Sequence, residues 1–409
     1  MAGDDGSGAL PSDDAVTAGG LRRARCEVDL DAIAASVTTL REHAGDSAVM
    51  AVVKADAYGH GMLPSARAAL AGGAAWLGTA TLDEALEVRA AGITAPLLSW
   101  LAVPGEPLAD GIAADVDLAA SAPWMVAELV AAARAVGRSA RVHLKVDTGL
   151  SRGGARLAQD WQELLDAAAK AQAEDALVVV GVWSHLVHAD SPRHPTTDAQ
   201  IAGFTEALTM AERSGVHPEV RHLANSAATL TRPDARFDVV RPGLAVYGLS
   251  PVPAVASAEE LGLRPAMTLT GSIALTKRVP PGTGVSYGHV HTTARETTLA
   301  LVPFGYADGV PRAATGRAEV WVGGARRPIE ARVCMDQLVV EVGDDPVAPG
   351  DDVVLFGPGT RGEPTAEEWA EWLGTISYEI VTGVGHRVPR VHVGRAGAAG
   401  GTAAGSMER

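Results

Sequence analysis

The chain has 409 residues, of which 47% are hydrophobic and 20% charged, enough for two or three domains or for one large barrel with a smaller domain. Its formal net charge of -15 argues against nucleic acid and anionic membranes as partners, because both require a basic face, although it leaves a local anion site possible. The two cysteines, Cys26 and Cys334, lie far apart in sequence, which favours reduced cytosolic thiols over a disulfide framework or metal cluster.

The two ends of the chain differ in composition from its middle. Residues 1–20 are acidic and glycine-rich, without the basic and apolar regions of a secretory signal, and residues 394–409 are rich in glycine and alanine. Both stretches are therefore predicted to be disordered. Because no run of 18 or more apolar residues occurs, the sequence predicts no membrane-spanning segment.

From residue 27 onward, strand-like and helix-like patterns alternate. Residues 27–44 predict a short strand followed by an amphipathic helix. Eight strand-like runs follow, most of them separated by alanine-rich helical stretches: 49–54, 75–80, 96–100, 116–120, 141–147, 178–185, 220–224 and 237–241. This alternation predicts an α/β fold, a (β/α)8 TIM-type barrel over residues 21–264. A doubly wound open sheet is the alternative.

The pattern changes near Pro265. The next runs are short and are separated by glycine, proline and aspartate, with one helical patch at 366–373; the strand-like runs are 268–277, 297–302, 319–322, 329–333, 338–342, 352–356 and 388–393. We therefore predict a mostly antiparallel C-terminal β domain over residues 265–393, with residues 22–28 as a candidate strand of the same domain.

One lysine lies in an unusual setting. An apolar run from Val49 to Val53 leads to Lys54 within the stretch AVVKADAYGHG, at the strand end where α/β barrels carry their chemistry. Only four of the 34 basic residues are lysines, so lysine is kept for positions where arginine does not serve. One such role is imine formation with a carbonyl cofactor, which needs a primary amine that can lose its proton. A lysine reaching from a strand end into solvent is the structural alternative.

Polar residues also follow other predicted strands: Asp147, His185, Asn225, Ser226 and Arg241. Because the C-terminal ends of barrel strands meet on one face, these groups and Lys54 predict a single site. Any one of them alone, His185 above all, is compatible with a structural role.

The tyrosines form a second pattern. Four of the five adjoin a glycine: Tyr58, Tyr247, Tyr287 and Tyr306. Glycine lets the backbone approach a ligand closely, and tyrosine supplies a phenol. Core packing is the alternative for each, and it is weakest for Tyr287, which lies in the glycine-rich stretch GTGVSYGHV.

Two segments predict an anion site. Asn225 and Ser226 precede an alanine-rich helical stretch, and residues 242–244, Pro-Gly-Leu, offer bare backbone amides. Amides at helix starts and at glycines bind phosphate. Neither segment is a known phosphate-binding motif, and each signal alone is weak.

Eight segments together resemble alanine racemases, the fold-type III pyridoxal-phosphate enzymes in which a barrel is followed by a β domain. They occur in the family's order within residues 22–393: AVVKADAYGHG, KVDTGLSRGG, HLANSA, VRPGLAVYG, VSYGH, PFGYADGVPR, RVCMDQ and TISYEI. The resemblance implies pyridoxal 5'-phosphate as cofactor, alanine as substrate, a homodimer with shared active sites and cytoplasmic supply of D-alanine for peptidoglycan. No metal, nucleic acid or membrane is implied.

The resemblance also implies catalytic roles. Lys54 would hold the cofactor as an imine and exchange a proton on one face of the substrate Cα, and Tyr287 of the partner subunit would serve the opposite face. Racemisation requires such a pair, because one group removes the proton and another returns it. Arg241 would donate to the pyridine nitrogen, where most pyridoxal enzymes place a carboxylate that keeps this nitrogen protonated.

Binding roles carried over by the resemblance fall into four groups. Cofactor contacts would come from Tyr58, His185, His222, Asn225, Ser226, Gly243, Leu244 and Tyr378. Arg152, Met335 and Asp336 would contact substrate, and Arg152 and His185 would also polarise the catalytic tyrosine. Tyr306 and Arg312 would lie at the entrance to the site. Lys145 matches a lysine that is carbamylated in some members and positions the arginine at 152.

Three alternatives share parts of this pattern. A broad-specificity amino-acid or serine racemase differs only in its pocket, where one methylene or hydroxyl changes discrimination by about 1–3 kcal/mol. A non-catalytic pyridoxal-phosphate carrier with a single barrel would lack the β domain and Tyr287. A decarboxylase of related fold would be expected to have a carboxylate in place of Arg241.

Overall fold

A computed structural model of the protein describes residues 23–396, which form two compact units. The first comprises residues 28–267, 375–383 and 392–396, and the second comprises residues 23–27, 268–374 and 384–391. The disorder predicted for residues 1–20 and for 397–409 falls outside the described residues. Among residues 23–396, none of the helices combines the length and apolar character needed to cross a bilayer.

The described chain opens with strand β1 (Ala24–Asp29) and helix α1 (Leu30–Ala44). The helix begins at Asp29, whose carboxylate accepts a hydrogen bond from the Ala32 amide at 3.0 Å. It ends at Gly45, where φ is +65°. Its buried stripe includes Ile33, Val37 and Leu40, as expected for a helix that covers a sheet.

Nine strands follow in the first unit, eight of them in one parallel sheet and β7 paired only beside β6. They are β2 (Ala48–Val52), β3 (Trp76–Thr79), β4 (Leu97–Ser99), β5 (Asp117–Ala120), β6 (Ala140–Asp147), β7 (Ala155–Arg156), β8 (Leu177–Trp183), β9 (Val220–His222) and β10 (Val239–Val240). The order in the sheet is β10-β2-β3-β4-β5-β6-β8-β9.

The two end strands of this order are joined as well. The Asp238 amide donates to the Arg221 carbonyl at 3.0 Å, and the Arg241 amide donates to the Ala224 carbonyl at 2.9 Å. These bonds join β9 to β10, so the sheet closes into a barrel. The predicted (β/α)8 barrel is confirmed, and the open doubly wound sheet is wrong because such a sheet keeps two free edges.

Eight helical segments lie between these strands, with α2 and α3 both between β2 and β3: α2 (Lys54–Gly59), α3 (Met62–Ala71), α4 (Leu82–Ala90), α5 (Leu108–Ala113), α6 (Pro123–Val136), α7 (Trp161–Ala173), α8 (Pro195–Arg213) and α9 (Ser226–Thr231). Short 3-10 helices span Pro233–Ala235 and Leu244–Tyr247. A buried cluster on the barrel strands contains Met50, Leu98, Ala119, Trp183 and Val239. Side chains therefore fill the interior, which leaves the ends of the strands for a site.

The second unit contains strands β11 (Met267–Ser272), β12 (Leu275–Val279), β13 (Gly284–Val285), β14 (His291–Thr292), β15 (Thr297–Val302), β16 (Glu319–Val322), β17 (Ala325–Pro328), β18 (Leu338–Gly343), β19 (Asp352–Phe356) and β20 (Arg390–Val393). Helix α10 (Ala366–Leu373) belongs to it, whereas α11 (Ser377–Thr382) belongs to the barrel unit. Its 3-10 helices are Tyr287–His289, Tyr306–Asp308 and Arg312–Ala314.

The sheets of this region are mostly antiparallel, as predicted. Six strands form a sheet in the order β17-β16-β19-β11-β1-β20, three form another in the order β12-β15-β18, and β13 pairs with β14. The pairs β11–β19, β12–β15, β15–β18, β16–β17 and β16–β19 are antiparallel.

Two strand predictions need correction. Residues 268–277 form two strands, because the Ile273 amide donates to Asp351 and the Ala274 amide to Leu301, so the chain changes sheets there. Residues 329–333 are not a strand. Gly323 and Gly324, with φ of +62° and +78°, form a two-residue turn that pairs Val322 with Ala325 and makes 325–328 the strand instead.

Candidate active site

A cavity of about 590 Å³ opens among residues that follow the barrel strands. Its lining includes residues from the loops after β2, β3, β4, β6, β8, β9 and β10 and from α11. Ten of the predicted site residues line it: Lys54, Tyr58, Lys145, Arg152, His185, Asn225, Ser226, Arg241, Gly243 and Tyr378. Four of these ten are lysines or arginines, and no carboxylate is among the described residues that line the cavity. In a chain of net charge -15, the cavity is therefore a local concentration of positive charge, which favours anions.

Lys54 does not end a strand as predicted. Strand β2 ends at Val52, and Lys54 starts a turn in which Ala55, Asp56, Ala57 and Tyr58 all have φ between +52° and +55°. The turn is left-handed, and each L-residue in that conformation costs about 1–2 kcal/mol. Such strain persists where surrounding contacts enforce it, which is common at functional sites.

Glu84 supplies contacts that hold this turn. One carboxylate oxygen accepts from the Ala55 amide at 2.7 Å, and the other accepts from the Ala80 amide at 2.8 Å. The sequence analysis missed this residue. The spacing Thr81-x-x-Glu84 is a capping-box signal for the start of α4, but it does not reveal that the same carboxylate also binds the neighbouring turn.

The two half-buried lysines of the cavity are electrostatically perturbed. Burial, and then the charge of Arg152, lowers the pKa of Lys54 below its ordinary value, with Glu84 acting in the opposite direction. Burial, followed by the charges of Arg241 and Arg152, lowers the pKa of Lys145 to about 8. Both amines therefore lose a proton more readily than a surface lysine, which favours nucleophilic and acid–base roles.

Trp183 is a lining residue that the sequence analysis did not select. Lys145 Nζ lies 4.3 Å from the centroid of its ring, and the guanidinium carbon of Arg241 lies 5.0 Å from it. The indole also stacks on His222 with ring centroids 5.6 Å apart. The sequence offered one signal for Trp183: it is an aromatic residue at the end of a predicted strand, two residues before the selected His185. Its face partly compensates the two cations for their burial.

Arg241 is buried, and four acceptors lie around its guanidinium. Its Nη2 donates to the Ser184 carbonyl at 2.8 Å, to the Leu223 carbonyl at 3.2 Å and to His185 Nδ1 at 3.4 Å, and its Nη1 donates to His222 Nδ1 at 3.1 Å. Burial lowers its pKa to about 9, so the group is still charged at neutral pH. The side chain therefore faces the cavity in a fixed orientation and can only donate hydrogen bonds.

His222 and Leu244 are fully buried and do not line the cavity. Burial, and then Arg241, lowers the pKa of His222 well below its ordinary value. The pKa of the cavity-lining His185 is lowered in the same direction by burial and by the charges of Arg241 and Arg152. Both imidazoles are therefore neutral near pH 7.

Hydroxyl and amide groups gather at one part of the cavity lining. Ser226 Oγ accepts from the Gly243 amide at 2.8 Å, so its own proton stays available to a ligand. The Tyr58 and Tyr378 rings lie 5.9 Å apart, and burial raises the pKa of Tyr378 to about 12 and that of Tyr58 above its ordinary range. A Cβ at residue 243 would collide with the Tyr58 hydroxyl, so only glycine fits there. Asn225 caps α9 through the Ala228 amide.

Asp147 does not belong to this site. It ends β6, and its carboxylate accepts from the amides of Gly149 at 2.9 Å, Leu150 at 2.9 Å and Ser151 at 3.2 Å. Its role is to hold the turn after the strand. The sequence placed a polar group at a strand end but did not reveal that three local amides bind it.

The remaining predicted residues lie in the second unit. Tyr287 is 72% exposed, Met335 53% and Tyr306 45%, and Asp336 and Arg312 are exposed as well. These side chains are not among those that line the cavity of the barrel unit.

Three loops of the second unit meet around these residues. The Tyr306 amide donates to the Cys334 carbonyl at 3.0 Å, and the Ala307 amide donates to the Met335 carbonyl at 2.9 Å. Ser286 Oγ, next to Tyr287, donates to the Arg332 carbonyl at 2.9 Å. These bonds bring Tyr287, Tyr306 and Met335 into one exposed region, which we call the tyrosine face.

A closed barrel with a lysine and several cations at the ends of its strands defines an enzyme of the (β/α)8 class. The family models described as "Alanine racemase, N-terminal domain" and "Alanine racemase, C-terminal domain" match residues 28–251 and 266–392. The chain therefore belongs to the alanine racemase family, whose members are pyridoxal-phosphate-dependent isomerases. The predicted family, fold class and enzyme class are confirmed.

Individual relatives agree over nearly the whole chain. The alanine racemase of Frankia casuarinae is 64% identical over 376 residues, which cover 92% of this chain and 98% of that protein. The crystal structure of the alanine racemase from D-cycloserine-producing Streptomyces lavendulae is 55% identical with a TM-score of 0.90, covering 92% and 98% of the two chains. The structure of the Bacillus anthracis alanine racemase with bound L-Ala-P is 37% identical with a TM-score of 0.82, covering 93% and 97%.

Proposed function

We propose that this enzyme interconverts L-alanine and D-alanine with pyridoxal 5'-phosphate as cofactor. The observation that carries the proposal is the cavity of about 590 Å³ that contains Lys54, three further cations and no carboxylate among its described lining residues. This volume is typical of small-ligand sites, and the charge suits a ligand with a phosphate and a carboxylate. A family member with bound L-Ala-P supports alanine as the substrate.

The hydroxyl groups and the glycine of the cavity lining fit the phosphate of the cofactor. The Ser226 hydroxyl and the Tyr58 and Tyr378 phenols would donate to its phosphate, because all three keep their protons at neutral pH. Gly243 leaves room for the Tyr58 hydroxyl itself, and both residues line the cavity. Asn225 and the backbone of Leu244 would support this shell, and His222 would hold Arg241 rather than contact the cofactor directly.

When bound, pyridoxal 5'-phosphate supplies an electron-withdrawing group that acidifies the Cα–H bond of an attached amino acid. Arg241 would donate to the pyridine nitrogen and could not take up a proton from it. The electron pair left at Cα would then be less delocalised than with a carboxylate partner. This favours return of the proton to Cα over other outcomes, as a racemase requires.

Lys54 is proposed to hold the cofactor covalently and to move a proton on one face of Cα. Its Nζ is half-buried, and its pKa is lowered by burial and by Arg152, so the neutral amine needed for both roles is accessible. The left-handed turn after it fixes where the side chain starts. Arg152, which is exposed and lines the cavity, would bind the substrate carboxylate.

Tyr287 is proposed to act on the opposite face of Cα, at the active site of the other subunit in a homodimer. Its side chain is 72% exposed although it is a large aromatic residue in a turn with strained backbone. An exposed tyrosine beside exposed Tyr306 and Met335 is typical of a surface that another chain covers. Met335 and Asp336 would then contact substrate, with Tyr306 and Arg312 at the entrance; His185 and Arg152 would polarise the tyrosine.

Lys145 is proposed to carry a carbamate that positions Arg152. Its pKa of about 8 leaves a neutral fraction whose nitrogen lone pair can bond to the carbon of CO₂ while one N–H proton passes to water. The resulting anion would lie among Arg152, Arg241 and Lys54. A carbamate carbon signal from protein equilibrated with ¹³C-bicarbonate, absent in Lys145→Met, would support this, and an unmodified ammonium would contradict it.

The shared site can be tested by mixing two inactive chains. Lys54→Ala and Tyr287→Phe chains are co-expressed in equal amounts, so that half of the dimers are mixed. If each site takes Lys54 from one chain and Tyr287 from the other, every mixed dimer keeps one intact site, and about one quarter of the wild-type activity returns. If each site is built from one chain, no activity returns. Pairing Lys54→Ala with the double variant is the matched control, because no intact site can form.

The second candidate is a broad-specificity amino-acid or serine racemase of the same fold. It is tested by assaying a panel of L-amino acids for D-product and for CO₂ with added cofactor, where CO₂ would indicate a decarboxylase. Alanine preferred over serine in kcat/KM supports the first proposal. We further propose that the product, D-alanine, serves peptidoglycan synthesis. We propose the reducing cytosol as the location of the enzyme, because it suits a chain whose two cysteines lie far apart in sequence.

A further inference from the structure

Four buried side chains form a continuous hydrogen-bonded row across the barrel interior. Arg241 Nη1 lies 3.1 Å from His222 Nδ1, His222 Nε2 lies 2.8 Å from His143 Nδ1, and His143 Nε2 lies 3.2 Å from an Asp117 oxygen. The residues come from β5, β6 and β9 and from the residue after β10. We call this row the imidazole relay; only its Arg241 end lines the cavity.

The direction of every bond in the relay follows from its arginine end. A guanidinium has donors only, so His222 Nδ1 must be the acceptor. Since burial and Arg241 keep His222 neutral, its single proton is on Nε2, and this N–H donates to His143. His143 Nδ1 is therefore an acceptor and its proton is on Nε2, which donates to Asp117.

Asp117 is the fixed acceptor at the other end. Burial acts to raise its pKa, but hydrogen bonds from His143 and Arg141 outweigh burial, and the net pKa is lowered. Arg141 Nε donates to the other carboxylate oxygen at 2.7 Å, and its Nη2 lies 3.4 Å from the oxygen that faces His143. A carboxylate oxygen has two lone pairs, so this oxygen can accept from His143 as well. The carboxylate thus requires the Nε2–H tautomer of His143 and, through it, the Nε2–H tautomer of His222.

Aromatic packing keeps this row dry. Trp183 stacks on His222 with an angle of 9° between the rings, and the Trp76 edge contacts His143 with centroids 5.7 Å apart. Both imidazoles are fully buried. Water therefore cannot replace a lost bond cheaply, and the wrong His222 tautomer would place an N–H against a guanidinium N–H.

We propose that Asp117 and His143 are positioning residues for the reaction: they fix the His222 tautomer that orients Arg241 toward the cofactor's ring nitrogen. Neither residue lines the cavity. The guanidinium has two side-chain acceptors, the buried His222 at 3.1 Å and the cavity-lining His185 at 3.4 Å, and only His222 belongs to the relay. The positioning role rests on the proposed cofactor role of Arg241. The two tautomers rest only on the hydrogen bonds of the relay.

The first test needs no variant. The ¹⁵N shifts of imidazole nitrogens in the cofactor-free, ¹⁵N-histidine-labelled enzyme report which nitrogen carries the proton. We expect both His143 and His222 to carry their proton on Nε2, as the hydrogen bonds of the relay require. A protonated His143, or the Nδ1–H form of either ring, would overturn the relay.

The second test uses two variants of equal size at residue 143. His143→Asn keeps an acceptor for His222 Nε2–H, and His143→Leu removes it. We expect His143→Asn to keep the His222 tautomer and most of the turnover, and His143→Leu to lose the defined tautomer and lower kcat about tenfold with KM for alanine unchanged. Equal kcat in the two variants, with equal His222 spectra, would contradict the proposal.

Asp117→Asn provides a third comparison, with Asp115→Asn as its control. Arg141 holds the amide oxygen of the new side chain, so its NH₂ would face His143 Nε2 and force the other tautomer. Asp115 carries the same charge two residues away, but its side chain is exposed and paired with Arg138. We expect shifted His143 resonances and lower kcat for Asp117→Asn alone. If the wild type has the expected tautomers but does not racemise alanine, the relay stands and the proposed function fails.

Discussion

Two turns of this chain have backbone angles that L-residues seldom adopt, and each presents one of the two side chains proposed to move the proton. In the first, residues 55–58 form a left-handed turn after Lys54. In the second, Ser286, Gly288 and His289, with φ of +59°, +73° and +42°, surround Tyr287. Both turns store strain.

The surroundings of the two turns are opposite. The Lys54 turn is held by Glu84 and by the packing of the buried Tyr58 ring on the buried Tyr247 ring, with centroids 5.1 Å apart. Tyr287 is 72% exposed, and the hydroxyl of its neighbour Ser286 holds the turn by donating to the Arg332 carbonyl. Under the proposed mechanism, the Lys54 half of the chemistry is set within the barrel unit, and the Tyr287 half needs the surface of another subunit to complete it.

Removing the amine at Lys54 should have the largest effect. Lys54→Ala is expected to lose covalent cofactor binding, measured as loss of the bound cofactor's visible absorbance, and to lower the racemisation rate by roughly 10⁴-fold or more. Lys170→Ala, on the exposed side of α7, removes the same charge and is the control. If Lys54→Ala racemised alanine at the wild-type rate, the barrel cavity could not be the proposed site of cofactor attachment and proton transfer.

Removing only the Tyr287 hydroxyl should distinguish the role of Tyr287 from that of Lys54. Tyr287→Phe is expected to bind cofactor as the wild type does but to racemise roughly 10²–10³-fold more slowly, because one face of Cα loses its proton carrier. Exchange of the Cα proton for deuterium, followed separately for L- and D-alanine, should persist for the enantiomer that Lys54 serves. Wild-type rates in both directions would refute the two-base assignment.

The charge on Lys145 should make the barrel unit sensitive to pH. Its folded pKa of about 8 lies below the ordinary 10.5, so between these values the unfolded chain binds more protons and stability rises with pH. In CO₂-free buffer without cofactor, the free energy of unfolding of Lys145→Met should therefore exceed that of the wild type most below pH 8. This difference should shrink by roughly 2 kcal/mol toward pH 10.5. Urea unfolding across this range measures it. A pH-independent difference would show that the amine is not perturbed.

The smallest expected effect concerns the strain itself. Ala55 is exposed with φ of +52°, so Ala55→Gly should relieve the left-handed penalty and, after the entropy cost of glycine, raise stability by about 0.5 kcal/mol. Ala131 is an exposed alanine inside α6, and Ala131→Gly should lower stability by about 1 kcal/mol. Denaturation midpoints of the pair measure the difference. Effects of the same sign would argue that the turn is unstrained.

Much of the barrel could be read from the chain because its signals are local. Strand-like runs of apolar residues separated by alanine-rich stretches predicted all eight barrel strands, since burial on both faces of a parallel strand requires such runs. The strand predicted at 329–333 was wrong because a loop can show the same alternation of apolar and polar residues as a strand. The Gly323–Gly324 turn pairs Val322 with Ala325, so residues 325–328 form the strand and 329–333 follow it as a loop.

The site divides in the same way. Lys54, Arg241, Ser226 and Gly243 were selected from their places after strands, and they do line one cavity. Glu84, Trp183 and His143 were missed, because each acts on a residue far away in sequence and lies in an element whose local pattern already explains it. Asp147 was selected for its position, but its three local amide partners could not be seen from residue type alone.

The sequence by itself determined the family, the order of the elements and the residue types that the chemistry needs, because these depend on composition and on spacing along the chain. The tertiary structure decided the hand of the turn after Lys54, the tautomers along the row from Asp117 to Arg241, and the exposure of Tyr287. Each of these depends on which donors, acceptors and rings are brought together across the barrel or within a loop cluster, and such pairings leave no pattern in the order of the residues.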